Sequence, residues 1–333
     1  MQTLRQAPRR HPWVRLAFFR TCRTVAAALG GRFLYRWWFL RPGRIHSRTE
    51  VVEVPGLPAE LHGLVCAHIS DLHAGPFFGR GALAGVQHVL EHRVPDLLLL
   101  GGDYITDRWT DVLPLQEEFA RLPRRLGAFA AFGNHDYRKH EQGQLVRVLG
   151  EAGITVLQDA GQAVPGLPLW IAGWNDLEES PRLDGAAARA GRGAERWEIG
   201  LCHHPRGLES LADPRCMVLL AGHSHGRQID LPWLRHLGPA HPGLRVRRGR
   251  TTCSAIAGSA WWACRCATAP AEVLFVELRD PARARRRSRP GSGAQRFSYG
   301  AAAAGPNAAA MGHRLSLRWA HARQHVRTRR CST

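Results

Sequence analysis

The chain has 333 residues, 44% of them hydrophobic, which is enough to bury a full core. Its formal net charge of +19 is concentrated at the two ends, because residues 1–49 carry 11 arginines and residues 281–333 carry 12, without any acidic residue. Residues 50–280 hold 23 basic and 27 acidic groups, which is not the charge of a nucleic-acid-binding domain. The 8 cysteines show no Cys-x-x-Cys spacing, and in a chain of this length they do not indicate a disulfide framework.

Residues 1–49 form a basic N-terminal extension in which aromatic and aliphatic residues are mixed with arginines. The longest run without a charge, residues 24–31, is far shorter than the roughly 20 apolar residues that a membrane-spanning helix needs. Arginines beside Trp and Tyr are typical of a basic amphipathic segment that lies on an anionic membrane surface. A targeting leader and an ordinary packed extension are the alternatives for this region.

From residue 51 onward, short apolar runs alternate with amphipathic segments, which predicts a layered α/β fold. Strands are predicted at 51–54, 64–69, 97–100, 128–132, 169–173, 197–202, 217–221 and 273–278. Helices are predicted at 81–92, 112–122 and 140–152, and the Ala-, Gly- and Arg-rich stretch 185–194 is predicted to be helix or loop.

Five of the predicted strands end in a short polar cluster, and the clusters share one chemistry. They contain Asp71 and His73; Asp103; Asn134, His135 and Asp136; His203; and His223 and His225. In an open α/β sheet, functional groups gather at the carboxyl ends of the strands, so the five clusters can converge on one crevice. A set of Asp, His and Asn side chains in that crevice predicts a site for two metal ions.

The order of the clusters, Asp-x-His, Gly-Asp, Gly-Asn-His-Asp, His-x-Pro and Gly-His-x-His, resembles that of the calcineurin-like metallophosphoesterases. The surrounding sequence is most similar to a bacterial branch that includes membrane-associated phosphoesterases and UDP-2,3-diacylglucosamine pyrophosphatases of lipid A synthesis. The resemblance covers about residues 51–231 and reaches 278 more faintly. It implies a metallophosphoesterase domain over residues 50–279, folded as a four-layer α/β/β/α sandwich.

The resemblance also implies how the ligands are shared between two divalent ions. The implied ligands are Asp71, His73 and His225 for one ion, Asn134, His203 and His223 for the other, and Asp103 for both. Two cations about 3.5–4 Å apart need a shared anionic ligand to offset their repulsion, and a hydroxide held between them is a nucleophile at neutral pH. Imidazole, carboxylate and amide ligands suit Mn, Fe, Zn or Ni.

Three further residues are candidates for catalysis or substrate binding. His135 is implied to stand beside the leaving-group oxygen, where an imidazolium donates a proton or stabilises the developing charge. Asp136 is expected to orient the ring of His135. Arg227 stands where related sequences usually have glycine, so it either binds substrate phosphate or is a tolerated change, and the second interpretation is preferred.

Several polar residues near the clusters have a plainer explanation. His68 is predicted to be a packing histidine, and His204 to lie only near the site, because the family spacing selects His203. Asp107 and Asp176 are close enough in sequence to support the ligands, but solvent-exposed loop carboxylates are the preferred interpretation for both.

After residue 231 the resemblance fades. Residues 235–268 hold an arginine run, the pair Trp261-Trp262 and the run Cys264-Arg265-Cys266, where relatives have a glycine-rich loop and strands. Residues 258–266 can be back-translated into DNA with codons that end in G or C. When this DNA is read in the frame that starts two nucleotides later, it encodes a segment like that of the family. This suggests a local frameshift and predicts poor packing of 235–268. The Arg-, Ala- and Gly-rich residues 280–333 are predicted to be a disordered tail.

These observations predict a two-metal-ion hydrolase of phosphate esters or anhydrides, in which a metal-bound hydroxide attacks phosphorus. The candidate substrates are a phosphodiester and a lipid-linked diphosphate. The basic extension favours the lipid and a place at the cytoplasmic face of a bacterial inner membrane, with the cytoplasm as the alternative. The competing function is a non-catalytic protein with a decayed metal site, whose ends bind a membrane or, less favoured, nucleic acid.

Overall fold

A computed structural model describes residues 43–180, 183–223, 245–255 and 271–283, together with 27–31, Thr21, Val25, Phe33 and Trp37. All of these belong to one unit, residues 1–289, whereas the second unit, residues 290–333, lies outside the described residues. The predictions of a membrane-surface extension and of a disordered tail therefore fall mostly outside them.

The described residues form four α-helices and twelve β-strands. The helices are α1 (Ala84–His92), α2 (Gln116–Arg121), α3 (Gln142–Glu151) and α4 (Leu208–Leu211). The strands are β1 (His46–Glu53), β2 (Val65–Ile69), β3 (Leu97–Leu100), β4 (Gly127–Ala130), β5 (Thr155–Val156), β6 (Ala160–Ala163), β7 (Leu169–Gly173), β8 (Trp197–Leu201), β9 (Cys216–Ala221), β10 (Arg245–Arg248), β11 (Thr251–Ala255) and β12 (Glu272–Arg279).

The first sheet has the strand order β1-β12-β2-β3-β4-β5. Strands β2 to β5 are parallel to one another, whereas β12 runs antiparallel to β2 and parallel to β1. All four residues of β3 are buried, as expected for a parallel strand that is covered on both faces. Helices α1, α2 and α3 cover one face, where Leu98 of β3, Phe119 of α2 and Val148 of α3 share one apolar cluster.

The second sheet has the order β10-β11-β9-β8-β7-β6. Its four central strands are parallel, and β6 and β10 run antiparallel at its edges. The two sheets pack together, because Leu99 and Phe129 of the first sheet share a buried cluster with Ile171, Ile199 and Val218 of the second. The mixed α/β class and the mostly parallel sheets confirm the fold class that the sequence predicts.

Most predicted elements appear within a few residues of their predicted bounds. Strands β3 and β7 coincide with the predictions 97–100 and 169–173. The predicted helix 112–122 is instead a 3-10 turn at Leu113–Leu115, which contains Pro114, followed by the short α2. Strand β1 begins at His46, so residues 46–49 of the predicted extension are part of the first sheet.

Residues 245–255 correct the prediction of poor packing for 235–268. They form β10 and β11, and β11 pairs in parallel with β9 at the edge of the second sheet. The side chains of Thr251, Cys253 and Ser254 are buried. Residues 235–244 and 256–268, which include the Trp pair, lie outside the part of the chain that the structure describes.

Candidate metal centre

The loops that follow β2, β3, β8 and β9 meet at the carboxyl ends of the two sheets. The backbone N–H of Asp71 donates to the carbonyl of Gly102 at 2.9 Å, which joins the loops after β2 and β3. The N–H of Gly222, after β9, donates to the carbonyl of His203, after β8, at 3.0 Å. The N–H of His223 donates to Oδ1 of Asp71 at 3.0 Å and so links the two sheets. The convergence that the sequence predicts is therefore present for these clusters.

Asp103 lies at the centre of the converging side chains. Its Oδ2 is 3.3 Å from Nε2 of His203 and 3.6 Å from Nε2 of His73. Two sets of three potential ligands, each with ligand atoms within 4.8 Å of one another, are present among the described residues: His73, Asp103 and His135, and Asp71, Asp103 and His203. Asp103 is common to both sets, as a carboxylate shared by two ions must be.

The ring of His203 is oriented by the loop after β3. Its Nδ1 lies 2.7 Å from the carbonyl of Gly101, and because a carbonyl only accepts, Nδ1 carries the proton. Nε2 consequently faces Asp103 at 3.3 Å and Asp71 at 4.0 Å. Burial alone would lower the pKa of His203, but Asp103 and Asp71 raise it well above its usual value. A positive charge, either a proton or a metal ion, is stabilised between these groups.

The carboxyl group of Asp103 is stabilised in its charged form by the surrounding rings. Burial alone would raise its pKa, but His203, His135 and His73 hold the pKa well below the usual range. Its Oδ1 also accepts the backbone N–H of His135 at 2.8 Å. Asp103 is therefore a buried anion, which is the state that a bridging ligand needs.

Four of the predicted ligands have a left-handed backbone. The φ angles are 56° for Asp71, 47° for His73, 55° for Asp103 and 62° for His223. Residues with a Cβ rarely adopt this region, and each costs of order 1–2 kcal/mol there. Strain of this kind is concentrated at functional sites, where the surrounding structure maintains it.

Glycines in the motifs allow the ligand loops to approach closely. A Cβ at Gly133 would overlap Oδ1 of Asp103, and one at Gly222 would overlap the side chains of Ser70 and Asp71. Gly102 has a φ of +98°, and a Cβ there would overlap the backbone of Gly133. The Gly-Asp, Gly-Asn-His and Gly-His motifs thus need glycine for space at the centre as well as for backbone conformation.

Asn134 lies at the mouth of the site. Its Nδ2 donates to Oε2 of Glu178 at 3.1 Å, while its Oδ1 is buried without a hydrogen-bond partner among the described residues. Glu178 also approaches His223, with Oε1 3.8 Å from Nε2. The ring of His204 stacks on that of His223 with 4.4 Å between centroids. His203, not His204, is thus the histidine that faces the buried carboxylates.

His135 belongs to the potential ligand set that contains His73 and Asp103, and its ring lies 4.5 Å from that of His73. Its Nδ1 is 3.2 Å from the carbonyl of Thr106, and its Nε2 is 3.0 Å from Nη2 of Arg138. The pKa of His135 is lowered to about 4, mainly by burial and also by Arg138, and these outweigh the opposing effect of Asp103. The ring is therefore neutral near pH 7 here, with its proton on Nδ1.

Asp136 does not orient His135 as predicted. Its Oδ2 accepts the backbone N–H groups of Asp103 at 2.7 Å and Gly133 at 2.9 Å, and its Oδ1 accepts that of Tyr104 at 2.8 Å. These donors lie in the two loops that follow β3 and β4. Asp136 therefore fixes the backbone beneath Asp103, and the ring of His135 is held by Thr106 and Arg138 instead.

The prediction that Asp176 is a solvent-exposed loop carboxylate is wrong. Asp176 is fully buried after β7, and its Oδ1 accepts the N–H of Glu178 at 2.8 Å. Its Oδ2 is buried without a hydrogen-bond partner among the described residues. Burial raises the pKa of Asp176, whereas the nearby rings of His203 and His223 act in the opposite direction and lower it. Its place after an apolar strand, shared with the five clusters, was the signal that sequence reasoning underweighted.

His68 is a packing histidine, as predicted. It is fully buried, and its two ring nitrogens lie 3.1 Å from the carbonyl of Leu99 and 3.2 Å from that of Ala221. No motif indicated Glu178, which contacts Asn134, or Arg138, which contacts His135. His225 and Arg227 lie outside the described residues, so their roles stay predictions.

The donor set fits divalent transition metals. Carboxylate, imidazole and amide oxygen ligands converge from both sheets, and two of the ligand atoms, Nε2 of His203 and Oδ1 of Asn134, are buried without a hydrogen-bond partner among the described residues. A metal ion would satisfy such atoms, since buried polar groups are otherwise costly.

Comparisons with known proteins place the chain in a family. Residues 64–227 match the family model described as calcineurin-like phosphoesterase. A Danio rerio protein named transmembrane protein with metallophosphoesterase domain is 29% identical over 193 residues, 54% of this chain and 44% of that protein. Phosphodiesterase YaeI of Escherichia coli is 30% identical over 49% of this chain and 61% of its own length. The uncharacterized metallophosphoesterase YkoQ of Bacillus subtilis is 30% identical over 55% of this chain and 68% of its own length.

The chain therefore belongs to the calcineurin-like phosphoesterase family, and its central domain is that of a metal-dependent phosphoesterase. The chain spans 44% of the Danio rerio relative and 61% of the Escherichia coli relative. Among the described residues, no helix is long and apolar enough to cross a membrane.

Proposed function

We propose that the chain hydrolyses phosphate esters or anhydrides with two divalent metal ions. The supporting observation is the position of Asp103, a buried carboxylate common to both sets of potential ligands. The proposed ligands are Asp71, His73 and His225 for one ion, Asn134, His203 and His223 for the other, and Asp103 for both. We also propose that the helices and the two packed sheets form the four-layer sandwich of the family.

Two such ions supply a nucleophile from water at neutral pH and polarise the phosphoryl oxygens. The protein's own residues would do three other things. Gly101 and Asp103 hold the ring of His203 so that its Nε2 faces the centre. Asp136 holds the loops on which Asp103 and Gly133 lie. His135, at the edge of the site, faces the side from which a leaving group departs.

The proposed substrates are a phosphodiester or a lipid-linked diphosphate. The name of the Escherichia coli relative, a phosphodiesterase, supports the first. The N-terminal region supports the second, because its described apolar side chains Val25, Leu29, Phe33 and Trp37 are between 49% and 80% exposed. With the surrounding arginines they would suit an anionic membrane surface, which we propose is the cytoplasmic face of a bacterial membrane.

The activity is tested with bis-p-nitrophenyl phosphate and Mn²⁺, comparing the full chain with Asp103→Asn and with Asp184→Asn as a matched control. Asp184 caps an exposed turn through its Oδ1, a role that asparagine can share. Turnover should be abolished by a chelator and fall at least about 100-fold in Asp103→Asn, but persist in Asp184→Asn. Failure of the folded, metal-loaded chain to hydrolyse this diester or a lipid diphosphate would instead support a non-catalytic protein.

Membrane binding is tested separately by flotation of the full chain with vesicles. Vesicles that contain anionic lipid should carry the protein, neutral vesicles should carry much less, and Leu29→Asp with Phe33→Asp should abolish the difference. Equal flotation of the double variant and the natural chain would remove the membrane surface from the proposal.

A further inference from the structure

Arg138 occupies an unusual position beside the candidate metal centre. It begins the turn Arg138–His140, and three groups hold its guanidinium. Nη1 donates to the carbonyl of Thr106 at 2.8 Å and to Oδ1 of Asp107 at 3.3 Å, and Nη2 lies 3.0 Å from Nε2 of His135. The side chain is nevertheless 40% exposed, so one side of this cation is open to solvent at the mouth of the site.

The hydrogen bond between Arg138 and His135 shows which atom is the acceptor. Because Thr106 offers only a carbonyl to Nδ1, Nε2 of His135 carries the lone pair, and Arg138 donates to it. The backbone N–H of His135 donates to Oδ1 of Asp103, and its Nε2 faces the guanidinium of Arg138. The group nearest the predicted leaving-group position that offers several N–H donors is therefore the guanidinium of Arg138.

We infer that Arg138 binds the phosphate of a leaving group, so that the site prefers phosphoanhydrides, whose leaving group is itself a phosphate, over esters whose leaving group carries no phosphate. This inference rests on the proposed function and narrows its substrate class. A guanidinium can donate two parallel N–H bonds to one phosphate, and Asp107 fixes it in place beforehand. On substrate binding, Nη2 of Arg138 stops donating to Nε2 of His135 and donates to a phosphate oxygen instead. Nε2 of His135 is then free to accept another hydrogen bond.

The charge change during hydrolysis explains why this cation would matter. Water oxygen forms a bond to one phosphorus of the diphosphate, and the bond from that phosphorus to the bridging oxygen breaks. The electron pair of the broken bond goes to the bridging oxygen, so the leaving phosphate gains a negative charge, and a proton from water passes to solvent. A fixed guanidinium stabilises this charge more in the transition state than in the bound substrate.

A cavity is lined partly by residues that adjoin the turn Arg138–His140 along the chain. Its volume is about 270 Å³, and its lining includes Trp109, His140 and Glu141. Oε2 of Glu141 is buried without a hydrogen-bond partner among the described residues. A carboxylate oxygen there disfavours a second phosphate and suits a group with hydrogen-bond donors, such as hydroxyls. We therefore expect a hydroxyl-bearing group, not a second phosphate, in this cavity.

The inference is tested with Arg138→Met and two substrates, ADP-ribose as a soluble diphosphate diester and bis-p-nitrophenyl phosphate. For ADP-ribose, kcat/KM should fall about 100-fold, as for the loss of a charged hydrogen bond. For bis-p-nitrophenyl phosphate it should fall by about tenfold at most, because that substrate loses only the contribution of the hydrogen bond from Arg138 to His135. Added guanidinium chloride should restore part of the lost activity in Arg138→Ala. Arg121→Met, which removes an exposed arginine of α2, serves as the matched control and should behave like the natural chain.

A binding measurement makes the outcome independent of turnover. AMP resembles the phosphate-bearing group that leaves when ADP-ribose is hydrolysed. Isothermal titration calorimetry should show that AMP binds the Mn²⁺-loaded Arg138→Met variant about tenfold more weakly than the natural chain. Equal losses on both substrates, or no loss of ADP-ribose hydrolysis and AMP binding, would overturn the role of Arg138. If the natural chain hydrolyses neither substrate, the proposed function fails, and unchanged AMP affinity in the variant then also overturns the inference.

Discussion

At the scale of single residues, the site is organised by a carboxylate that does not face its centre. Asp136 accepts three well-formed backbone hydrogen bonds from Asp103, Tyr104 and Gly133, all between 2.7 and 2.9 Å. Both of its oxygens are used, and the side chain is fully buried. Asp136 therefore determines where Asp103 stands, although it does not contact the ring of His135 as its place in the sequence suggested.

Asp136→Asn should destabilise the protein, because the new amide NH₂ must face a backbone N–H donor. An unsatisfied buried donor costs about 1–3 kcal/mol, so the melting temperature should fall by about 2–12 °C. Circular dichroism melts of the variant measure this, with Asp184→Asn, at an exposed turn, as the control that should change little. Equal melting temperatures for Asp136→Asn and the natural chain would show that these hydrogen bonds do not support the loops.

At the scale of elements, the strands are well predicted from sequence because burial gives them continuous apolar runs. Strand β3 is four leucines in a row, and β7 and β9 are similarly apolar, so their bounds are evident. The position of Arg138 depends on how loops pack, which no local pattern encodes, whereas the place of Asp176 after the apolar β7 was a signal that could have indicated its burial. Strand β11 was missed because Thr and Cys dominate it and its pairing with β9 is set by the sheet.

The loop between α4 and β9 has an ion-pair network that predicts acid sensitivity. Burial would raise the pKa of Asp213, but the N–H of Arg215 and the guanidinium groups of Arg192 and Arg189 outweigh it and lower the pKa. The side chain is 21% exposed, and Arg192 is 3.2 Å away. A carboxyl group whose pKa is lower in the folded state stabilises the fold above its unfolded value of about 3.9. That stabilisation is lost as the pH falls through the folded value.

Asp213→Asn should therefore lower the free energy of unfolding at pH 7 but have a smaller effect near pH 3, because this carboxyl group is then largely protonated in the unfolded chain and the stabilisation is reduced. Urea unfolding of both proteins at several pH values from 7 to 3 measures the difference. A difference in the free energy of unfolding between the two proteins that stays constant from pH 7 to pH 3 would contradict the contribution of this carboxylate.

At the scale of the whole molecule, the candidate metal centre joins the two sheets. Asp71 and Asp103 follow strands of the first sheet, whereas His203 and His223 follow strands of the second. The motif residues could be identified from sequence because five clusters recur after strands, but their distances and left-handed backbones could not. Metal ions bound here would connect elements that are otherwise held together mainly by the apolar cluster between the sheets.

Metal binding should consequently stabilise the fold. An ion that binds only the folded state at 1,000 times its Kd adds about 4 kcal/mol, so Mn²⁺ should raise the melting temperature by about 8–16 °C over the chelated protein. Differential scanning calorimetry with Mn²⁺ and with a chelator measures this. Asp103→Asn should show a much smaller difference, and an equal difference in the two proteins would place the stabilising ion elsewhere.

The most direct test of the shared-carboxylate centre measures metal content and turnover on the same samples of the full chain and of Asp103→Asn. The natural chain should retain about two ions per molecule after Mn²⁺ loading and gel filtration, and it should hydrolyse bis-p-nitrophenyl phosphate. Asp103→Asn, with an unchanged circular dichroism spectrum, should retain one ion or fewer and lose at least about 99% of turnover. Two ions and full turnover in the variant, or turnover by a natural chain that holds no metal, would contradict a centre built around Asp103.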